Sequence, residues 1–305
     1  SPALLPAIAA GAVNSSRAPS QTEVVTKFLA SKASETRIAA AQLCGTWKVG
    51  SARDKLLQMT SAKNLQLKEA TSLCLALGSL GVTADLQKLS SAGNSSKVRA
   101  AAIAAWGKVD ANKAAGPAAD LLASLTDAAT AEAEEVFAAF IGLREGVGGL
   151  TRALASSKLR RPIAIAGVTL AHASGRNLAP LIATLNKAGG LKPLDQNLSP
   201  KERAQLLADS QKTGNAERGR EIYHRKTTLC STCHLIDNRG GKLGPDLTTV
   251  GSYMTPESLL ESLINPSSSI KQGYETVLVT TRDKSLVAGL LQRKTGDSVL
   301  LRDTT

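Results

Sequence analysis

Apolar residues along 1–190 recur in short blocks with a helical pattern, spaced about 30 residues apart. The blocks centre on Val25, Leu56, Leu86, Leu121, Leu150 and Leu181. Ala-rich segments that close on a glycine precede most of them, at 37–45, 68–78, 98–107 and 135–142. Alanine loses no side-chain entropy in a helix and lets paired helices pack closely. Each unit therefore predicts a helix, a glycine-containing turn and a second helix.

A helix pair of this kind cannot bury its apolar face alone, so neighbouring pairs must stack. In pattern and period the segment resembles the HEAT-like repeats in their short form, over roughly 1–190. The resemblance implies an α-solenoid that serves as a scaffold or as a docking surface for proteins, and it implies no chemistry.

The notable side chains of this segment are interpreted as structural. Cys44 and Cys74 are expected to be buried small side chains, and a disulfide between them is the alternative. His172 has no Cys or His nearby in sequence and is interpreted as structural rather than as a ligand. The residues expected to fill gaps between repeats are Trp47, Trp106, Phe137 and Phe140.

The pattern changes after the glycine pair at 189–190. Residues 191–213 contain prolines and a polar stretch, and are predicted to form a linker with one short helix at 201–210. Residues 214–305 then form a second predicted domain. The expected fold is mainly α, a helical-repeat domain followed by a cytochrome c-like domain with a small β-meander.

Two kinds of element are predicted in the last part of the chain. Thr255 is a good N-cap, Pro256 suits the first helical position, and Pro266 ends the helix. Alternating apolar and polar residues then predict the three strands of the meander, at 274–281, 285–293 and 298–303.

Composition narrows the classes of protein that fit. Hydrophobic residues make up 43% of the chain, enough for a core, while aromatic residues make up only 3%, which favours stacked helices over β-sandwiches. The net charge is +12, but the basic residues are scattered and have no interleaved aromatics, so a solvated basic surface is favoured over nucleic-acid binding. The sequence lacks a run of about 18 apolar residues, so we predict no membrane span.

The most specific signal is Cys-Ser-Thr-Cys-His at 230–234. C-x-x-C-H is the attachment signature of c-type haem. The thiols of Cys230 and Cys233 would form thioether bonds with the haem vinyl groups, and His234 would be the proximal iron ligand. A thioredoxin-like pair would need a βαβ setting, and a zinc site would need a second Cys/His pair, but the sequence offers neither. A chance C-x-x-C-H without haem is the remaining alternative.

The segments around this motif match a known family in order and spacing. The matching segments are the short predicted helix at 219–223, Gly-Pro-Asp-Leu at 244–247, Leu-Leu-Glu-Ser-Leu-Ile-Asn-Pro-Ser at 259–267, Ile-Lys-Gln-Gly-Tyr-Glu at 270–275 and Val-Ala-Gly-Leu-Leu at 287–291. Together they resemble the Pirellula/Verrucomicrobium-type haem-binding domain, a cytochrome c-like family, over roughly 214–305.

The resemblance implies one covalent haem c. In cytochromes c the Gly-Pro turn places its carbonyl against the histidine nitrogen that faces away from iron, a role that falls to Pro245 here, and Leu247 would pack on the haem face. Family members are often joined to HEAT-like repeats and dehydrogenase-like domains in large exported proteins. This implies an electron-transfer module for a fused dehydrogenase domain or a redox partner protein that docks on the repeats.

The sixth iron ligand is not assigned by the sequence. The family's domain ends with a Met-Pro-containing segment and a closing helix, neither of which occurs before Thr305. A ligand beyond Thr305 or from another chain is therefore expected. Met254 is a candidate within the chain, but it directly precedes a helix cap and is interpreted as a hydrophobic staple on Leu259. His224 is interpreted as a surface residue.

The favoured function is electron transfer, one electron at a time, by a carrier that is not a catalyst in itself. An open sixth position would instead give a haem enzyme or a sensor of gas or peroxide, and a third alternative is a scaffold protein. The sequence contains no recognisable set of residues for hydrolysis or group transfer. Because haem is joined to C-x-x-C-H motifs outside the cytoplasm, we expect a periplasmic or otherwise exported protein.

Overall fold

The structure is a computed structural model that describes residues 5–12, 22–174, 176–192, 198–225, 228, 230–266, 268–281, 286–296 and 298–303. These residues are mainly helical, with a small antiparallel sheet near the C-terminus, so the predicted mainly α class is confirmed. Contacts divide the chain into two compact units. The first unit comprises Ser1–Leu170 and Leu178–Leu191, and the second comprises Ala171–Asn177 and Lys192–Thr305.

α-Helices of 8–14 residues and two 3-10 helices follow one another through the described part of residues 5–188. Their bounds are α1 (Leu5–Ala12), a 3-10 helix (Thr22–Ala30), α2 (Ser34–Thr46), a short 3-10 helix (Gly50–Ala52), α3 (Arg53–Thr60), α4 (Leu67–Ser79), α5 (Thr83–Ser90), α6 (Ser96–Val109), α7 (Ala111–Ser124), α8 (Thr130–Ile141), α9 (Gly146–Leu154), α10 (Arg161–Ala173) and α11 (Ala179–Ala188).

Helices two positions apart along the chain pack against each other. α4 contacts α2 and α6, and α6 also contacts α8, so the Ala-rich helices form one row. α9 contacts α7 and α11 in a second row. The apolar residues on which the predicted blocks centre are all buried, namely Val25, Leu56, Leu86, Leu121, Leu150 and Leu181. Their burial accounts for the spacing of the blocks in the sequence.

Small residues allow the close approach within the first row. A Cβ atom at Gly45 would lie 2.9 Å from the Cα atom of Ala76, where α2 meets α4. Phe137 and Phe140 are fully buried, as expected for gap-filling side chains, and Trp106 is 6% exposed. Trp47 is only half-buried.

The cysteines of this unit, Cys44 and Cys74, are buried free thiols, so the alternative of a disulfide between them was wrong. Burial raises the pKa of each thiol to about 12. A thiol with so high a pKa carries almost no thiolate near neutral pH and is chemically inert.

Buried polar contacts connect successive helices of the first row. The Glu69 carboxylate, at the start of α4, accepts hydrogen bonds from the Ser34 hydroxyl at 2.9 Å and from the Arg37 guanidinium at 2.8 Å. Glu132, at the start of α8, accepts from Ser96 at 3.1 Å in the same way. Each contact joins a buried carboxylate of one helix to a side chain of the preceding helix in the row, and a buried carboxylate without such a partner would be destabilising.

The second unit contains shorter elements. Their bounds are α12 (Pro200–Thr213), α13 (Ala216–Tyr223), α14 (Cys230–Cys233), β1 (Leu235–Ile236), β2 (Arg239–Gly240), a 3-10 helix (Val250–Ser252), α15 (Pro256–Ile264), β3 (Thr276–Thr280), β4 (Leu286–Lys294) and β5 (Val299–Asp303). β1 and β2 form an antiparallel hairpin, and β3, β4 and β5 form an antiparallel sheet in that order. The three-stranded meander is therefore confirmed.

α15 begins where its predicted cap places it. The Thr255 hydroxyl accepts from the Ser258 amide at 3.2 Å and starts α15, as the sequence indicated. α12 lies in the segment predicted as a linker and is longer than the predicted helix at 201–210. It contacts α15 through an ion pair between Arg203 and Glu261.

The second unit buries few apolar side chains of its own. Among the described residues 198–303, only Ile264 and Leu290 are buried apolar side chains, at 2% and 5% exposed. Leu263 is 73% exposed and Tyr253 is 61% exposed. A domain of this length normally encloses one contiguous apolar core, and these side chains do not supply it.

In the part of the chain that the structure describes, no helix combines the length and the apolar character that a membrane crossing requires.

Candidate functional site

The motif at 230–234 begins as a single helical turn, α14. The His234 amide closes this turn by donating to the Cys230 carbonyl at 3.0 Å. Residues three apart in a helix share a face, so the turn presents both cysteines on one side. The Cys230 and Cys233 side chains are half-buried. They are therefore accessible to a ligand that approaches this side of the turn.

The imidazole of His234 is oriented by Pro245. The Nδ1 atom lies 2.8 Å from the Pro245 carbonyl oxygen, which is the contact that the resemblance implies. A carbonyl oxygen can only accept, so Nδ1 carries the proton in this contact. In the neutral imidazole, Nε2 then has a free lone pair, which is the state in which histidine binds metals.

The loop that carries Pro245 is fastened to the motif by its backbone. Three amides of the loop donate to carbonyls of the motif and the residue after it, at 2.7–2.9 Å. These bonds run from Gly241 to Ser231, from Gly244 to Cys233 and from Leu247 to Leu235. The loop and the motif therefore form one hydrogen-bonded assembly.

Glycines let this loop lie directly on the motif. A Cβ atom at Gly244 would lie 2.5 Å from the His234 ring, and one at Gly241 would overlap the Thr232 carbonyl oxygen. Gly240 has a φ of +125°, in the region that favours glycine. Neither Gly240 nor Gly241 was among the predicted site residues, although the Gly-Gly dipeptide was a visible signal.

Tyr223, the last residue of α13, contacts the motif from the preceding helix. Its hydroxyl donates to the His234 carbonyl at 2.7 Å. Burial raises the pKa of the Tyr223 phenol, and the neighbouring Cys230, Asp246 and Cys233 raise it further. The donor therefore stays protonated at neutral pH. α13 itself starts where the Asn215 side chain accepts from the Arg218 amide at 2.8 Å. The sequence predicted this helix but not the hydrogen bond from Tyr223 to the His234 carbonyl.

A short polar network closes the end of the loop. The Thr248 hydroxyl accepts from the Asp237 amide at 3.0 Å and donates to the Asp246 carboxylate. The Thr248 hydroxyl and amide hold the pKa of Asp246 below its ordinary value. Through Thr248, these bonds hold Asp246, the residue after Pro245, beside the β1–β2 hairpin.

A cavity of about 510 Å³ lies between α13 and the β1–β2 hairpin. Its lining includes Gly219, Tyr223 and Ile236, but none of Cys230, Cys233 and His234. It therefore adjoins the motif without containing the chemically reactive groups.

The other candidate residues lie in different settings. Leu247 and Met254 are half-buried. Met254 directly precedes the Thr255 cap, and its amide donates to Val250 at 3.0 Å, while its staple contact with Leu259 stays a prediction. His224 is exposed, as expected, with its ring edge-on to Tyr223 at 5.0 Å between centroids.

The motif offers one imidazole and two thiols as donor side chains. Within the described residues, no group of three or more His, Cys, Asp or Glu side chains could hold a metal ion. Burial, with a smaller effect from Cys230, raises the pKa of the Cys233 thiol.

Comparisons of the chain with protein-family models, with curated proteins and with solved structures found no match.

Proposed function

We propose that residues 214–305 hold one haem c and transfer electrons one at a time. The observation that carries the proposal is the hydrogen bond between His234 Nδ1 and the Pro245 carbonyl. It leaves Nε2 available as an axial donor beside two half-buried thiols. A C-x-x-C-H sequence that occurred by chance would not need a loop that orients its histidine.

The shortage of buried apolar side chains in the second unit supports the same proposal. Only Ile264 and Leu290 are buried apolar side chains among the described residues 198–303. Haem is a large, mainly apolar plate, and its burial would give this unit a core. Leu247 is half-buried directly after the Pro245 loop and would pack on the haem face.

The residues of the chain have separate roles in this proposal. Cys230 and Cys233 would hold the group through thioether bonds, and His234 would offer Nε2 to the iron. Pro245 fixes the imidazole plane, and its hydrogen bond would make the histidine a stronger donor. When bound, haem would supply the exchange of one electron between its ferrous and ferric states.

We propose that the first unit is a HEAT-like solenoid that docks a dehydrogenase domain or a redox partner protein. The support is the packing of α2, α4, α6 and α8 in one row and of α7, α9 and α11 in a second. Two stacked rows present a broad surface of the kind that repeat proteins use for binding. The C-x-x-C-H motif further supports a periplasmic or otherwise exported location.

A haem enzyme or a gas or peroxide sensor is the second candidate function. It is favoured if the iron has no sixth ligand. An absorption spectrum with and without carbon monoxide separates the two candidates, because a sixth protein ligand hinders carbon monoxide binding. Met254→Leu tests the candidate ligand within the chain. A shift to high spin would identify Met254 as the sixth ligand, and an unchanged spectrum would support its interpretation as a helix staple.

The decisive experiment is expression with and without the haem-attachment machinery, followed by denaturation and acid–acetone extraction. We expect haem to stay with the chain only where the machinery is present. His234→Ala should keep the thioether bonds but change the spin state, whereas His224→Ala, at an exposed histidine of the same unit, should not. Extractable haem, or identical spectra for the His234 variant and the parent, would refute the proposal.

A further inference from the structure

The three-stranded sheet is attached to the loop that orients His234 through Arg302. One guanidinium nitrogen of Arg302, on β5, donates to the Lys242 carbonyl at 3.0 Å. The two residues are 60 positions apart in the chain. Lys242 lies between the loop glycines Gly241 and Gly244, whose amides are bonded to the motif. A side chain of the sheet thus holds the loop at its centre.

A β-bulge orients the Arg302 side chain. The pairing register between β4 and β5 shifts between Leu291 and Arg293, which places Gln292 at the irregularity. The Gln292 side-chain oxygen accepts from the second guanidinium nitrogen of Arg302 at 3.0 Å. Bulges commonly redirect a side chain next to a functional site. With one nitrogen held by Gln292, the other is directed at the Lys242 carbonyl.

The sheet is also shaped to keep the backbone of Arg302 in place. Gly289, on β4, pairs with Asp303, and Leu290 pairs with Arg302. A Cβ atom at Gly289 would lie 2.8 Å from the Arg302 carbonyl oxygen, so a larger residue would push β5 away. Leu290 is one of the two buried apolar side chains among the described residues 198–303 and anchors the same position.

We propose that Arg302 is a positioning residue for the proximal histidine. Its hydrogen bond to the Lys242 carbonyl restrains the loop. The hydrogen bond from the Gly244 amide to the Cys233 carbonyl holds the restrained loop against the motif. The Pro245 carbonyl of the same loop then keeps His234 in its orientation. The meander is therefore a support of the candidate iron site and not a separate appendage. This inference rests on the proposed haem function for its purpose, but its geometry belongs to the chain alone.

The test measures amide hydrogen exchange at Gly244 and the nitrogen chemical shift of His234 Nδ1, in the full chain as purified after export. Arg302→Gln removes the charged donor. Arg293→Gln is the matched control, because it removes the same charge from an exposed arginine on the neighbouring strand. We expect exchange at Gly244 to become about tenfold faster in the Arg302 variant only, as fits the loss of one charge-assisted hydrogen bond. The chemical shift of His234 Nδ1 should change in the same variant only, because its hydrogen bond to Pro245 loosens with the loop.

Exchange within α15 should be equal in both variants, which distinguishes a local loosening of the loop from a general loss of stability. If Arg302→Gln does not fold, Gln292→Leu should give a smaller acceleration at Gly244, because it removes only the group that orients the guanidinium. Equal exchange in the Arg302 and Arg293 variants, or an unprotected Gly244 in the parent, would overturn the inference. Failure of the proposed function would appear separately, as an exported chain without covalent haem.

Discussion

The Nδ1 atom of His234 lies 2.8 Å from the carbonyl oxygen of Pro245, eleven residues further along the chain. The loop that carries Pro245 is bonded to the motif through the amides of Gly241, Gly244 and Leu247. A carbonyl oxygen can only accept, so the contact places the proton on Nδ1 and sets the plane of the imidazole.

Gly244→Ala tests how closely the loop lies on the imidazole. The added methyl group would be 2.5 Å from the ring of His234, so the ring or the loop must move. We expect the second unit to lose about 1–3 kcal/mol of unfolding free energy, as for other overpacked sites. Gly251→Ala is the control, because a Cβ atom there meets nothing within 4 Å. Urea unfolding of both variants checks the prediction, and equal stability would contradict the close approach of the loop to the His234 ring.

Tyr223→Phe tests the hydrogen bond from α13 to the motif. Removal of the hydroxyl leaves the His234 carbonyl without this donor, which lies at 2.7 Å. The expected loss is about 1 kcal/mol of unfolding free energy. Tyr253→Phe makes the same chemical change at a side chain that is 61% exposed, and should change the stability little. Chemical denaturation followed by circular dichroism measures both, and comparable losses would show that the Tyr223 bond contributes nothing of its own.

The four cysteines should fall into two classes of reactivity. Burial raises the pKa of Cys44 and Cys74 to about 12, so both should resist iodoacetamide in the native state. Cys230 and Cys233 are half-buried and should react in chain made without haem attachment. After haem attachment only the two buried thiols should react, and only once the chain is denatured. Mass spectrometry counts the labelled thiols, and native-state labelling of Cys74 would contradict its burial.

Elements that depend on local pattern could be predicted from the sequence. The buried residues of the first unit, such as Leu121, follow from helical periodicity, and the start of α15 follows from Thr255 and Pro256. The helix before the motif was likewise visible, although its first residue, Ala216, lies three positions earlier than the predicted start. These features depend on near neighbours in the chain, which a sequence displays directly.

Contacts between distant residues were harder to predict. The Arg302 bond to Lys242 spans 60 positions and depends on a bulge at Gln292 that no local pattern signals. The pairing of Arg37 with Glu69 spans 32 positions and depends on how two helices cross. Both arise from tertiary packing, so a single sequence gives the residue types but not the partners.

Glu69→Gln tests the buried contact between α2 and α4. The Arg37 hydrogen bond holds the pKa of Glu69 below its ordinary value, against the opposing effect of burial, and Ser34 adds to it. A carboxyl whose pKa is lowered in the folded state stabilises fully above its unfolded pKa of about 4.5, and this stabilisation is lost as the pH falls through the folded value. The parent should therefore lose stability as the pH falls below about 4.5 and through the lower folded-state pKa.

The Glu69 variant should be less stable than the parent by about 1.5–3 kcal/mol at neutral pH, as for the loss of a hydrogen bond to a charged group, and should show a smaller loss on acidification. Glu35→Gln, at an exposed glutamate of α2, should stay within about 0.5 kcal/mol of the parent. The measurement is urea unfolding of the parent and both variants at neutral pH and again at a pH below 4.5. A Glu69 variant with the parent's full pH dependence would show that the ion pair does not contribute to it.

Leu121→Asp tests the helical interpretation of the first unit at its core. Leu121 lies in α7 with none of its surface exposed, so aspartate would place an unpaired charge among apolar side chains. The expected cost is about 3–5 kcal/mol of unfolding free energy. Ala123→Asp adds the same charge at an exposed position two residues along the same helix, where the cost should stay below about 1 kcal/mol. Thermal unfolding of the two variants gives the comparison.

The absorption spectrum of any attached haem should be the same in the Leu121 and Ala123 variants, because the motif lies in the other compact unit. A Leu121 variant as stable as the Ala123 variant would mean that this helix face does not carry the core.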